Sequence, residues 1–170
     1  GTSIAELFRL VRSNLQFATA GKENKVVLVT SSTSGEGKTF FSINIAASLT
    51  LIGKKVALLE LDLRMPSLFK QLHITPGIGI SDYLVATDKV SIEDILRPHE
   101  SVPGLFIASS GSLPPNPAEL MSSDNLAQLI NKLKASFWTW KTCIVTAYQT
   151  MKTASHHFVT AHNSGWMTDS

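Results

Sequence analysis

A chain of 170 residues, 44% hydrophobic and 16% charged, falls in the range of one globular domain with enough apolar material for a core. Its formal net charge of +2 gives no ground for nucleic acid or an acidic membrane surface as a partner. The single cysteine, Cys143, excludes an internal disulfide framework, and no apolar run reaches the ~18–20 residues of a membrane-spanning helix.

No signal-peptide pattern opens the chain, so the expectation is a soluble molecule in a reducing compartment, or the cytoplasmic part of a larger protein. Ile4–Ala18 carries Leu7, Leu10, Val11 and Leu15 at helical spacing, with Glu6, Arg9 and Arg12 on other faces, which predicts an amphipathic helix. After the polar break Gly21–Lys25, Val26–Thr30 is a short β-branched run suited to a buried strand. A glycine-containing loop, Ser31–Gly37, leads into a helix from about Lys38 to Leu51, closed by Gly53. Val56–Leu61 is the second buried strand. Strand, helix, strand through short connections is a βαβ unit, and it predicts an α/β fold: three layers, α/β/α, around a parallel sheet.

Further along, Pro66–Phe69 starts a short helix, and Ile80–Ala86 and Ser91–Leu96 are two more, the second opening at a serine with Asp94 three residues on. Leu105–Ala108 reads as a strand. Pro114–Pro117 is a stiff loop, and Pro117–Ala135 is a helix with proline at its first position. From Phe137 the composition shifts: all three Trp (Trp138, Trp140, Trp166) and three of the five His (His156, His157, His162) lie there, with Asp169 the only acid. Residues 1–136 are therefore expected to form the domain, and 137–170 an atypical tail in which Cys143–Val145 keeps strand character. Without strands from that tail the sheet is incomplete toward the C-terminus and exposes an apolar edge. The adjacent His156 and His157 point apart in a helix or strand and have no cysteine near at zinc spacing, so no metal site is expected there.

Ser32–Thr39 reads S-T-S-G-E-G-K-T between the first strand and its helix. A polyphosphate needs several backbone N–H donors converging on it, and Gly35 and Gly37 allow the backbone to turn that closely. The helix that follows presents its positive dipole end to the same anion. Lys38 adds a mobile charge for the outer phosphates, and the Thr39 hydroxyl is placed for magnesium. The pattern G-x-x-x-x-G-K-[ST] has Ser32 at its first glycine. A turn that merely caps a helix is the plainer alternative, and the strand–loop–helix context favours the phosphate site, a P-loop. The second constellation, Glu60-Leu61-Asp62-Leu63-Arg64, ends the second strand, where ligands of open α/β sheets gather. Alternation puts Glu60 and Asp62 on one face, where a carboxylate can assist magnesium or accept a hydroxyl proton.

The run from Val26 to Pro66 resembles the bacterial protein-tyrosine kinases that accompany capsular and exopolysaccharide export. Glu60, Asp62, Arg64 and Pro66 fall on that family's second acidic motif, D-x-D-x-R-x-P, with Glu in place of the first Asp. Glu6, Arg9 and Arg12, followed by Ser13-Asn14, are similar to its N-terminal oligomerisation motif, although charge spacing alone would fit an ordinary solvated helix face. Gly79–Leu84 is similar to its G-L-S-D-Y-L segment, and Gly111–Leu120 to its G-x-x-P-P-N-P-x-E-L loop. The resemblance implies ATP-dependent autophosphorylation on tyrosine that regulates polysaccharide chain length and export. It implies ATP or ADP bound by Ser34, Gly35, Glu36, Gly37, Lys38, Thr39 and Phe40, Mg2+ held by Thr39 and Asp62, and catalysis by Lys38, Asp62 and Glu60, the last as base toward the tyrosine hydroxyl. It also implies a ring-like homo-oligomer through Glu6, Arg9 and Arg12, at the cytoplasmic face of the bacterial membrane. The implied partners are a membrane-embedded polysaccharide co-polymerase, fused or separate, and a protein-tyrosine phosphatase.

Two departures stand against it. The family's third motif is an apolar strand ending in Asp, whereas Cys143–Ala147 has Thr146 at that place and no carboxylate lies between Asp124 and Asp169. The C-terminal tyrosine cluster is missing, and only Tyr83 and Tyr148 are present. A switch-type P-loop ATPase and a catalytically silent nucleotide-binding scaffold therefore remain as alternatives. Ser32, Thr33 and Ser34 stand where the switch ATPases carry an extra lysine, which counts against the first.

Overall fold

The computed structural model describes residues 3–20, 26–31, 33, 35–136 and 142–146, with 134–136 and 142–146 described through their backbone. In chain order the helices are α1 (Ile4–Ala18), α2 (Lys38–Thr50), α3 (Leu68–Leu72), α4 (Ile80–Val85), α5 (Ile92–Ile95), α6 (Pro117–Met121) and α7 (Asp124–Ser136). The strands are β1 (Val26–Val29), β2 (Val56–Glu60), β3 (Arg97–Pro98), β4 (Leu105–Ala108) and β5 (Thr142–Thr146). They form one sheet in the order β1-β5-β2-β4-β3, parallel except for β3, which runs antiparallel to β4. Pro98 sits in that edge strand, where a missing N–H costs no central ladder bond.

Strand alternation divides the core into two layers. Val56, Leu58, Leu105 and Ile107 turn to one face and pack with Ile45 and Leu49 of α2, joined by Phe8, Val11 and Leu15 of α1. Ala57, Leu59 and Ala108 turn to the other, with Tyr83 and Leu84 of α4, Ile95 of α5 and Leu126, Leu129 and Ile130 of α7. The sheet is thus covered by helices on both sides, as the βαβ pattern requires.

Three features differ from the sequence pattern. The helix expected over Pro117–Ala135 is two helices, because Ser122 and Ser123 turn their hydroxyls back onto the carbonyls of Ala118 and Leu120 and interrupt the ladder. The inward face of α1 is Phe8, Val11 and Leu15, while Leu7 and Leu10 are exposed. The expected break at residue 137 does not end the sheet: β5 lies between β1 and β2 and pairs with both. The rest of 137–170, with its Trp and His residues and Tyr148, lies outside the described residues.

Candidate active site

The loop between β1 and α2 is shaped for an anion. Gly35 and Gly37 have φ of 85° and 89°, the left-handed region that other residues rarely adopt. Among the described residues a Cβ on either would meet nothing within 4 Å, so backbone conformation is what demands glycine there. Gly37 is the N-cap of α2, and among the described residues no side chain caps that end. The first-turn N–H groups and the dipole of a 13-residue helix face the loop. Glu36 turns back to accept from the Thr33 N–H at 3.4 Å. Lys38 donates to the Ser31 hydroxyl at 2.8 Å, and Ser31 donates to the Thr33 carbonyl. Phe40 is exposed, its ring edge-on to Phe8 with centroids 6.1 Å apart. Ser34 lies outside the described residues.

Across from the loop, β2 delivers the two acids, and they meet different environments. Asp62 is half-buried and accepts from the N–H groups of Met65 and Arg64, at 3.0 and 3.4 Å. Glu60 is 1% exposed. Its Oε1 accepts from the N–H groups of Ser67 and Leu68, both at 2.7 Å, and its Oε2 from that of Ser110 at 3.3 Å. Burial pushes its carboxyl above the ordinary value, with repulsion from Asp62 in the same direction, while the three backbone donors pull it down. The side chain expected as a base is therefore enclosed, and it ties the segment after β2 to the segment after β4.

That second segment is itself pinned. Ile80 and Ser81 donate their N–H groups to the carbonyls of Ser109 and Ser110, and Asp82 accepts from the N–H groups of Gly79 and Ser112. Burial acts to raise the Asp82 carboxyl, but the Gly79 and Ser112 hydrogen bonds prevail and hold it below the usual range. The two distant segments singled out by resemblance, Gly79–Leu84 and Gly111–Leu120, thus meet beside the end of β4. Gly79 and Gly111 approach so closely that a Cβ on either would strike the other's backbone.

The expected oligomerisation residues separate. Glu6 closes a capping box with Ser3, Arg9 is exposed, and Arg12 donates to the Ser48 carbonyl and hydroxyl on α2 at 2.8 and 3.3 Å. Ser67 and Ser48 were not visible as site or contact residues, since nothing in local spacing links them to Thr39 or Arg12. Ser67 Oγ lies 2.8 Å from Thr39 Oγ1. Tyr83 is 1% exposed and accepts from Lys132 at 3.1 Å.

Among the described residues no group of three His, Cys, Asp or Glu side chains could hold a metal. Hydroxyl and carboxylate side chains such as Thr39 and Asp62 are of the type that suits magnesium, which keeps waters and takes its other oxygens from phosphates.

Residues 27–163 match the CobQ/CobB/MinD/ParA nucleotide binding domain. The chain belongs to that family. Within it, the chain is 33% identical over 133 residues to the tyrosine-protein kinase YwqD of Bacillus subtilis (strain 168), covering 78% of this chain and 55% of that protein. It is 35% identical over 133 residues to the tyrosine-protein kinase CpsD of Streptococcus agalactiae, covering 78% and 56%. The fold is similar to the kinase domain of the Escherichia coli tyrosine kinase ETK, with a TM-score of 0.81 and 26% identity over 91% of this chain and 60% of that one. The chain spans a little over half the length of these two curated relatives. As a CobQ/CobB/MinD/ParA domain it has the three-layer fold of P-loop nucleotide-binding proteins. β5 holds the place between β1 and β2, and Thr146 is in register with Val29 and Glu60.

Proposed function

We propose that this chain is the nucleotide-binding core of a protein-tyrosine kinase that phosphorylates its own kind and regulates capsule or exopolysaccharide export. The observation behind it is the link from Thr39 through Ser67 to Glu60, which joins the glycine loop to the end of β2, in a chain one-third identical to tyrosine-protein kinases. Lys38, now held by Ser31, swings to the outer phosphates, and the loop N–H groups and the α2 dipole neutralise the remaining charge. Thr39 and Asp62 would hold magnesium, which supplies charge neutralisation to the phosphoryl group when bound. Glu60 remains the candidate proton acceptor, and it reaches a hydroxyl by releasing the Ser110 N–H, the longest of its three bonds. While it stays enclosed, burial raises its affinity for protons, which favours its acting as a base. Positioning and electrostatics would carry most of the transfer.

The proposal extends to the assembly. A homo-oligomer would use the exposed Glu6–Arg9 surface of α1, with a membrane-embedded co-polymerase as partner and a protein-tyrosine phosphatase to reverse the modification. Among the described residues no helix is long and apolar enough to cross a membrane, so the proposed location at the inner membrane face rests on that partner. Tyr83 is enclosed, so the acceptor tyrosine lies elsewhere in the assembly or in Tyr148.

Incubation with Mg-ATP, beside Lys38→Ala, followed by mass-spectrometric mapping of phosphopeptides, tests the reading. Phosphotyrosine present in the parent and absent in the variant is expected. A second reading has one specific observation behind it: the third-acid place at the end of β5 holds Thr146. Nucleotide binding without phosphotyrosine or ADP would establish that silent scaffold, and ADP without phosphotyrosine a switch ATPase.

A further inference from the structure

A serine or threonine hydroxyl has one proton and two lone pairs. When it gives a lone pair to a cation, its proton must point away to an acceptor, and that acceptor fixes the ligand's orientation. For Thr39 the neighbour at hydrogen-bond distance is the Ser67 hydroxyl, with the oxygens 2.8 Å apart. Ser67 is not a loosely held surface residue. Its N–H is bound by the buried Glu60 carboxylate at 2.7 Å, as is that of Leu68, which is fully buried at the start of α3. The same carboxylate reaches Ser110 beyond β4. The position of the Ser67 oxygen is therefore set by the backbone and by a carboxylate anchored on two sides.

We infer that Ser67 is a positioning residue of the magnesium site: it accepts the Thr39 proton, which frees the Thr39 lone pair for the metal. The inference rests on the nucleotide-site reading above. Either hydroxyl can donate while the site is free, and commitment of Thr39 to the cation fixes Ser67 as the acceptor. Glu60 then has a role apart from proton transfer, because it holds the acceptor in place. A purely structural bond between α2 and α3 would be indifferent to magnesium.

The test is a calorimetric titration of the full chain with ATP, once with saturating magnesium chloride and once with EDTA. The parent is compared with Ser67→Ala, Ser67→Thr and Ser67→Cys; the last keeps the volume and presents a weaker acceptor. Loss of about 10-fold in affinity with magnesium, and less than about twofold without it, is expected for Ser67→Ala and Ser67→Cys, with Ser67→Thr restoring the parent behaviour. Equal losses in both conditions, or none, would overturn the inference and leave the nucleotide site intact. A parent chain that binds ATP in neither condition would overturn both. Should Ser67→Ala melt without a cooperative transition, the Ser67→Cys and Ser67→Thr pair decides the outcome in the same way.

Discussion

Glu60 is where a single residue has most to reveal. Folding removes its carboxyl from water, and the resulting upward shift outweighs the Leu68, Ser67 and Ser110 N–H groups that favour the ionised form. The folded chain thus keeps this proton to higher pH than the unfolded chain, whose carboxyl titrates near 4.5. By linkage, the contribution of this group to stability is complete below that pH and declines as pH rises through the folded value. Glu60→Gln cannot titrate. It also turns an NH2 toward backbone donors, which adds a pH-independent offset, so the slope is the informative quantity. The melting temperature of the parent should fall relative to Glu60→Gln between about pH 4 and 7. A constant difference across that range would mean that the carboxyl titrates alike in both states. The acid's presence near the site was legible, since alternation along β2 and the strand-end rule both place it there. Its enclosure was not, because the amides that hold it come from residues 67, 68 and 110 and meet only in the folded chain.

At the scale of elements, the contact between α1 and α2 is decided by one charged side chain. No residue of α1 is fully buried; its inward face is half-buried Phe8, Val11 and Leu15, with Phe8 against Phe41 at 5.6 Å between ring centroids. Arg12 adds two hydrogen bonds to Ser48, on the helix that follows the phosphate loop. Hydrogen bonds from a charged donor contribute about 1.5–3 kcal/mol, whereas an exposed substitution stays within about 0.5 kcal/mol. Arg12→Ala should therefore lower unfolding free energy by about 1.5–3 kcal/mol in urea titration, and Arg9→Ala by less than about 0.5 kcal/mol. Equal effects would show that Arg12 does not anchor the helix. If both arginines instead serve an interface, each variant alone should reduce the assembled mass in light scattering with little change in protomer stability. The helix itself was legible to the residue, since its apolar spacing is a local signal. Charge periodicity treats Arg9 and Arg12 alike, and only the neighbouring helix distinguishes them.

At the scale of the whole molecule, the α/β class and both faces of the sheet followed from the βαβ pattern, but the sheet's centre did not. The three apolar residues of Cys143–Val145 mark a strand locally, yet no local signal says that the last of the described strands inserts between the first two. β5 pairs with four positions of β1 and five of β2, and β2 is buried along its full length. Ending the chain after Ser136 would leave these backbone donors and acceptors facing an empty slot. At about 1–3 kcal/mol for each buried group left unsatisfied, a loss on this scale is comparable with the 5–15 kcal/mol that holds a typical domain together. Partial closure of β1 onto β2 would recover some of these bonds, but each strand's register is fixed by the helices packed on both faces. The 1–136 fragment should therefore show no cooperative thermal transition by circular dichroism, and no ATP binding by calorimetry, where the full chain shows both. A fragment that melts cooperatively and binds ATP would mean that β1 and β2 pair directly and that the segment from 137 onward is dispensable for the site.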